Sequence, residues 1–397
     1  MLNKSMKTLC SALILLLTAC SPLVSQSVSE DLKWSEKMAL SIMERNPDPV
    51  YMDFRDEPKW EYTFGLVLKS IERVWKATGD DQYLDYIDAY YDFMIEEDGT
   101  IKKYDITNFN IDRVAPGRAL FALYDETGKE KYNNAIEQLR YHLEYQPRNH
   151  LGGFWHKHIY PWQMWLDGAY MGSPFYAEYS LRNNEYENFD DVALQIKLMF
   201  EYMRDPETGL LYHGWDQSKT QRWANPETGL SPHFWGRAMG WYAMAIVDVL
   251  DYFPEDHPQH DDLTIILGEL VEALVKYQDQ DSKVWYQVVD QGDREGNYLE
   301  ASASIMFTYA IKKGANKGYL DESYHQVAEE AFEGILDEFI ETDENGLVNI
   351  NHVCAVAGLG GDPYRSGSYE YYVNERVQVN DTKATGPFIK LSLEMDR

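Results

Sequence analysis

A short turn ending in tyrosine recurs along this chain, as Thr78-Gly79-Asp80-Asp81-Gln82-Tyr83 and again as Thr127-Gly128-Lys129-Glu130-Lys131-Tyr132. Weaker copies are Asn183-Asn184-Glu185-Tyr186 and the segment from Gly318 to Tyr324. A spacing of about fifty residues marks a repeated supersecondary unit. Each copy sits between an apolar helical pattern, such as Gly65 to Trp75 or Ala119 to Tyr124, and a more amphipathic one. A second signal closes the unit, an acidic or glycine-containing turn such as Glu97-Asp98-Gly99, Asp205-Pro206-Glu207-Thr208-Gly209, Asp279-Gln280-Asp281 or Asp343-Glu344-Asn345-Gly346. Strand signals are weak throughout. A helical hairpin cannot bury its apolar inner helix alone, but about six of them closed into a ring bury every inner helix and leave no exposed end. The expected fold is therefore all-α, an (α/α)6 six-hairpin barrel over residues 31–397, with an open superhelix of hairpins as the alternative.

Composition agrees with a large core. Hydrophobic residues make up 44% of the 397 and aromatics 14%, far from a disordered chain. The formal net charge of −30 gives a field that repels nucleic acid and anionic surfaces, so a small anionic ligand would need local cations and amide groups. The first residues read differently from the rest. Lys4 and Lys7 precede the apolar run Leu13 to Leu17, and Leu17-Thr18-Ala19-Cys20 resembles a bacterial lipobox. The expectation is a signal peptide over residues 1–19, lipidation of Cys20, and a polar tether over residues 20–30. That would place the protein outside the cytoplasm, on a bacterial membrane at the periplasmic side or the cell surface. With Cys10 removed and Cys20 acylated, Cys354 is left without a disulfide partner, and no cysteine cluster suits a metal. Oligomeric state is open.

The segment Phe154 to Gly172 holds the densest chemistry. It carries eight aromatic or imidazole rings, with Lys157 as a cation and Asp167 as its one carboxylate. A carboxyl group among indoles is poorly solvated, which favours the neutral acid and suits a proton donor. In bland terms the rings build core and the Asp caps a helix. The repeat adds a register. Tyr62, Asp112 and Asp167 lie 21, 20 and 19 residues before Tyr83, Tyr132 and Tyr186. They are thus expected near the starts of three successive inner helices, on one rim. Helix N-termini converging there add unpaired N–H groups that favour an anion. His213 lies ahead of the next inner helix, which opens with Trp235, Arg237 and Trp241; Arg237 offers a planar fork matched to a carboxylate.

At these residues the chain resembles a known family. Phe154-Trp155-His156-Lys157, Gln163-Met164-Trp165-Leu166-Asp167-Gly168 and Phe234-Trp235-Gly236-Arg237-Ala238 are similar to the unsaturated rhamnogalacturonyl hydrolases, family 105 of the glycoside hydrolases. So are Asn110-Ile111-Asp112 with Ala115-Pro116-Gly117-Arg118, and the run Asn297 to Ser304. The related family 88 acts on unsaturated glucuronyl oligosaccharides. The resemblance, over roughly residues 35 to 380, implies hydration of the enol-ether double bond of a 4,5-unsaturated uronic acid at the non-reducing end of a lyase product. It assigns Asp167 as the acid that protonates C4 and then helps activate water for C5. It assigns Asp112 to hold that water and raise the proton affinity of Asp167. It places Tyr62, Lys157, Met171, His213, Trp235, Arg237 and Trp241 in the substrate pocket, with Arg237 and Lys157 expected on the substrate carboxylate. No cofactor and no metal are implied.

Three other readings remain at this level. Unsaturated glucuronyl–rhamnose fragments of the algal polysaccharide ulvan could replace pectic ones. A non-catalytic glycan-binding surface lipoprotein could use the same cleft. A lyase or conventional glycosidase on the same barrel would need a different acid–base arrangement.

Overall fold

A computed structural model describes residues 28–397; the expected signal peptide and most of the tether, Cys20 included, lie outside the described residues. Among the described residues thirteen α-helices follow in order. They are α1 (Trp34–Arg45), α2 (Tyr62–Thr78), α3 (Asp81–Met94), α4 (Leu120–Thr127), α5 (Glu130–Tyr145), α6 (Leu166–Asn183) and α7 (Asn188–Met203). Then come α8 (Gly236–Val249), α9 (His260–Lys276), α10 (Ala301–Asn316), α11 (Tyr324–Phe339), α12 (Tyr369–Val373) and α13 (Thr382–Met395). Helix α2 packs on the 3-10 turn Ala115–Ala119 that leads into α4, that turn on α6, α6 on α8, α8 on α10, α10 on α13, and α13 on α2. The ring is closed. This is the (α/α)6 barrel.

Each inner helix is backed by an outer one: α2 by α3, α4 by α5, α6 by α7, α8 by α9, α10 by α11 and α13 by α1. The sixth hairpin is therefore made from the two ends of the described chain. Burial separates the layers as their patterns require. Every residue of α8 is buried, whereas α11 buries Ala328, Ala331, Ile335 and Phe339 along one stripe.

The hairpin turns obey local chemistry. Gly79 and Gly128 sit in the left-handed region (φ +70 and +64) that ends α2 and α4, where a side chain would be strained. Among the described residues the strands form three short antiparallel ribbons. One of them matters for the site. It joins β1 (Gln163–Trp165) to β2 (Gly214–Asp216), with Trp165 opposite Gly214.

The second inner helix departs from the repeat. Asp112 does not stand on a helix; it lies in a 3-10 turn, Ile111–Arg113, followed by the 3-10 turn Ala115–Ala119 and only then by α4. The backbone of α2 passes so close that a Cβ on Gly65 would lie 2.4 Å from Pro116 Cα.

A buried charge cluster ties the inner helices together. Asp248 of α8 receives Arg118 Nη2, Lys313 Nζ and Lys390 Nζ at 2.9 Å each and Arg73 Nη2 at 3.5 Å. Lys390 also donates to the hydroxyl of Tyr170 of α6 at 2.7 Å. All six inner segments thus contribute to one network.

Candidate active site

Asp167 is the second residue of α6 and does not cap it: the N-cap is Trp165, without a side-chain cap bond. The ribbon sets its surroundings. Trp165 pairs with Gly214, and Leu166 N–H donates to the His213 carbonyl at 3.1 Å, which draws the His213 ring to the start of α6. His213 Nε2 stands 3.4 Å from Asp167 Oδ2, and neither atom has a hydrogen-bond partner within the protein. The side chain of Asp167 is 14% exposed, that of His213 fully buried. Oδ2 is thus buried against the His213 ring, and the small exposed remainder of the Asp167 side chain is what a ligand could reach.

The imidazole is fixed from behind by the Tyr372 hydroxyl, 2.8 Å from Nδ1. Burial pushes the His213 imidazole below its ordinary value, opposed in part by Asp167. A neutral ring results. Trp165 lies edge-on to His213 (centroids 5.5 Å apart) and stacks on His156 (4.6 Å) and Tyr160 (5.1 Å). Trp235 packs against His213 at 4.7 Å. Four rings wall the opening.

Asp112 sits beyond His156. Its carboxylate receives Lys157 Nζ at 2.7 Å and His156 Nε2 at 3.2 Å. Burial alone would raise its value, but the charges of Lys157 and His156 hold it well below the usual carboxylate range. Asp112 is therefore an ion at any working pH, and its charge is largely met by Lys157. Tyr62, the first residue of α2, meets Trp241 edge to face at 6.0 Å. Burial, helped by the charge of Asp112, lifts its hydroxyl well above the ordinary value, so it stays a neutral donor. Trp241 in turn packs on Tyr170 at 4.9 Å. Met171 is buried one turn along α6 from Asp167.

Arg237 has a different setting from the open fork expected of it. It is 1% exposed, with Nε donating to Ser302 Oγ at 2.7 Å and Nη2 lying 3.4 Å from Glu300 Oε1 and close to the Cys354 carbonyl. Burial disfavours its charge, and Glu300 together with Cys354, Asp381 and Tyr62 more than offsets that. The same burial pushes the Cys354 thiol up to about 11, so it is an inert thiol. Tyr62, Asp167 and Arg237 thus stand at the N-terminal ends of α2, α6 and α8, none of which has a side-chain cap. Sequence reasoning missed Tyr372, Glu300 and the stacking role of His156 and Tyr160; the run Glu370-Tyr371-Tyr372 was its available signal. Among the described residues no group of three or more His, Cys, Asp or Glu side chains could hold a metal ion.

The profile of Glycosyl Hydrolase Family 88 matches residues 34–397. The chain belongs to this family. It is an enzyme, a glycoside hydrolase. The relation to family 105 is also direct: a Clostridium acetobutylicum glycoside hydrolase from family 105 superposes with a TM-score of 0.89 at 47% identity, covering 92% of this chain and 99% of that one. The unsaturated rhamnogalacturonyl hydrolase YesR of Bacillus subtilis is 26% identical over 80% of this chain and 86% of its own length. The unsaturated glucuronyl hydrolase of Bacillus sp. GL1 shares the fold, with a TM-score of 0.68 at 12% identity over 91% of this chain and 95% of that one.

Proposed function

We propose that this glycoside hydrolase removes a 4,5-unsaturated uronic acid from the non-reducing end of lyase-generated oligosaccharides, with unsaturated galacturonyl–rhamnose from rhamnogalacturonan as its substrate. The observation that carries the reading is Asp167, a carboxyl group 14% exposed among aromatic rings, with no hydrogen bond spent on its buried Oδ2 beside a neutral His213. A conventional glycosidase needs two carboxyl groups free to flank the bond. Here the other candidate, Asp112, is locked between Lys157 and His156.

In this mechanism Asp167 gives its proton to C4 of the enol ether, and the resulting oxocarbenium character falls on C5 and the ring oxygen. Water adds at C5 and passes its proton back to the Asp167 carboxylate, restoring the acid. The hemiketal then opens and releases the neighbouring sugar. Asp112, through His156 and Lys157, positions the donors that hold the water. Tyr62, Met171, Trp235 and Trp241 shape the apolar wall around the sugar.

The family membership and the YesR similarity support this reading. Ulvan-derived unsaturated glucuronyl–rhamnose would undergo the same chemistry, so the decisive experiment offers both lyase digests to the protein. Loss of the conjugated double-bond absorbance is expected, faster on the pectic digest. In heavy-oxygen water the label should enter C5 of the uronic acid product; label at the anomeric carbon instead would mean ordinary glycosidic cleavage. Export and anchorage through a lipidated Cys20 belong to the same proposal. Labelled fatty acid should tag the wild type and not Cys20→Ala, and equal tagging of the two would remove the anchor.

A further inference from the structure

A uronate-handling site needs a cation with a free edge, and the two at its centre are already engaged. Lys157 is bound to Asp112 and Arg237 to Glu300. Arg365 is different. Its guanidinium lies over the Trp165 ring, 5.8 Å from the centroid, on the wall of the opening. Its charge also reaches His213 and contributes to lowering that imidazole.

Arg365 is held firmly but not neutralised. Nε donates to the Gly360 carbonyl at 2.9 Å, and Nη2 donates to the Tyr160 hydroxyl at 2.8 Å and the Leu359 carbonyl at 3.1 Å. Among the described residues no carboxylate lies within ion-pair reach of it, and Nη1 has no acceptor. The backbone is shaped around it. A Cβ on Gly358 would lie 2.3 Å from Nη1, and one on Gly361 3.1 Å from Nη2. Gly360 and Arg365 exchange backbone hydrogen bonds of 2.8 and 3.1 Å, closing the loop that carries the side chain. An arginine packed on an indole, bonded through Nε and Nη2 and left with Nη1 unpaired is pre-organised for an oxyanion.

We propose that Arg365 is the anion anchor of this site, taking an oxyanion of the bound oligosaccharide on its open edge and so setting substrate specificity. Two sources share that chemistry: the carboxylate of the unsaturated uronic acid and a sulfate ester on the sugar next to it. The inference rests on the unsaturated-uronide reading, so its test includes a binding arm that needs no turnover.

The experiment compares wild type, Arg365→Gln and Arg365→Lys on three unsaturated disaccharides: the free acid, its methyl ester, and the free acid with a sulfated neighbour. If Arg365 holds the uronate, Arg365→Gln lowers kcat/KM roughly 10- to 100-fold on both free acids and hardly at all on the ester, the loss of a charge-assisted contact. If it holds the sulfate, the loss is confined to the sulfated substrate. Either pattern supports the proposal, with Arg365→Lys recovering part of the loss. An equal loss on all three substrates, or none on any, overturns it. Calorimetric binding of the three sugars to wild type and Arg365→Gln gives the same comparison even where wild type turns none of them over. Should both variants fail to fold, equal wild-type affinity for free acid and ester, with no gain from the sulfate, overturns it as well.

Discussion

An acid that protonates carbon must keep its carboxyl group free of fixed hydrogen bonds, and the partly exposed Asp167 does so because the β1–β2 ribbon, not a hydrogen bond to Oδ2, decides where it sits. Asp167→Asn keeps the size of the side chain and removes the proton. Turnover should drop on the order of 10²–10⁴-fold or more while the fold stays intact by circular dichroism. A variant retaining more than about a tenth of wild-type activity would take Asp167 out of the mechanism. Buried imidazoles make a separate prediction. Burial pushes His142 down to about 4, and His213 is also lowered. The unfolded chain takes up these protons near pH 6.5 and the folded protein does not. Stability should therefore fall as pH drops from about 6.5 toward 4, by up to about 1.4 kcal/mol per pH unit for each fully withheld proton. His142→Gln should flatten that slope in urea unfolding curves taken at several pH values. An unchanged slope would mean that His142 is protonated in the fold.

Regular elements were legible from the chain because a 3.6-residue period and the tyrosine turns both survive in the sequence, and they put Tyr62 and Asp167 in the first two residues of α2 and α6. The same register put Asp112 near the start of the second inner helix, and it lies in a 3-10 turn ahead of α4. The 3-10 segment that follows it carries Pro116 and packs against Gly65 of α2, and no periodicity encodes a contact between residues so far apart. Arg237 illustrates a second limit. Its spacing from Trp235 marked the start of α8, but its partners Glu300, Ser302 and the Cys354 carbonyl come from distant segments and consume the charge. The Gly65 contact can be tested directly. Gly65→Ala places a methyl group against backbone that cannot swing aside, which should cost about 1–3 kcal/mol. It should also reduce kcat, because the displaced Pro116 segment carries Asp112 four residues upstream. Urea unfolding and steady-state rates of the same variant check both parts. Stability within about 0.5 kcal/mol of wild type would mean that the two segments separate freely.

A ring of hairpins has an axis, and what fills that axis determines whether the ring behaves as one body. Near the active rim the axis holds the aromatic walls of the site; deeper, it holds Asp248. Helix α8 reads as almost continuously apolar, so one carboxylate within it was a signal that sequence reasoning passed over. Arg73 comes from α2, Arg118 from the turn before α4, Lys313 from α10 and Lys390 from α13, which packs with α1 to make the hairpin formed by the two chain ends. Burial drives Lys390 well below its ordinary value, and Asp248 is what favours its charge. Replacing Asp248 by Asn would keep the volume but leave the buried Arg118 and Lys390 without their counter-ion, while Lys313 and Arg73 keep Asp251. Breaking a buried pair from one side costs about 3–5 kcal/mol, a large share of the stability of a typical domain. Asp251 offers the control, since it accepts from Lys313 at 2.6 Å but is 20% exposed, so water can replace it. Asp248→Asn should therefore lower the urea midpoint far more than Asp251→Asn, with a single unfolding transition lost or broadened as the ring loses its common tie. Equal effects from the two variants, or a loss below about 1 kcal/mol for Asp248→Asn, would show that apolar packing alone closes the barrel.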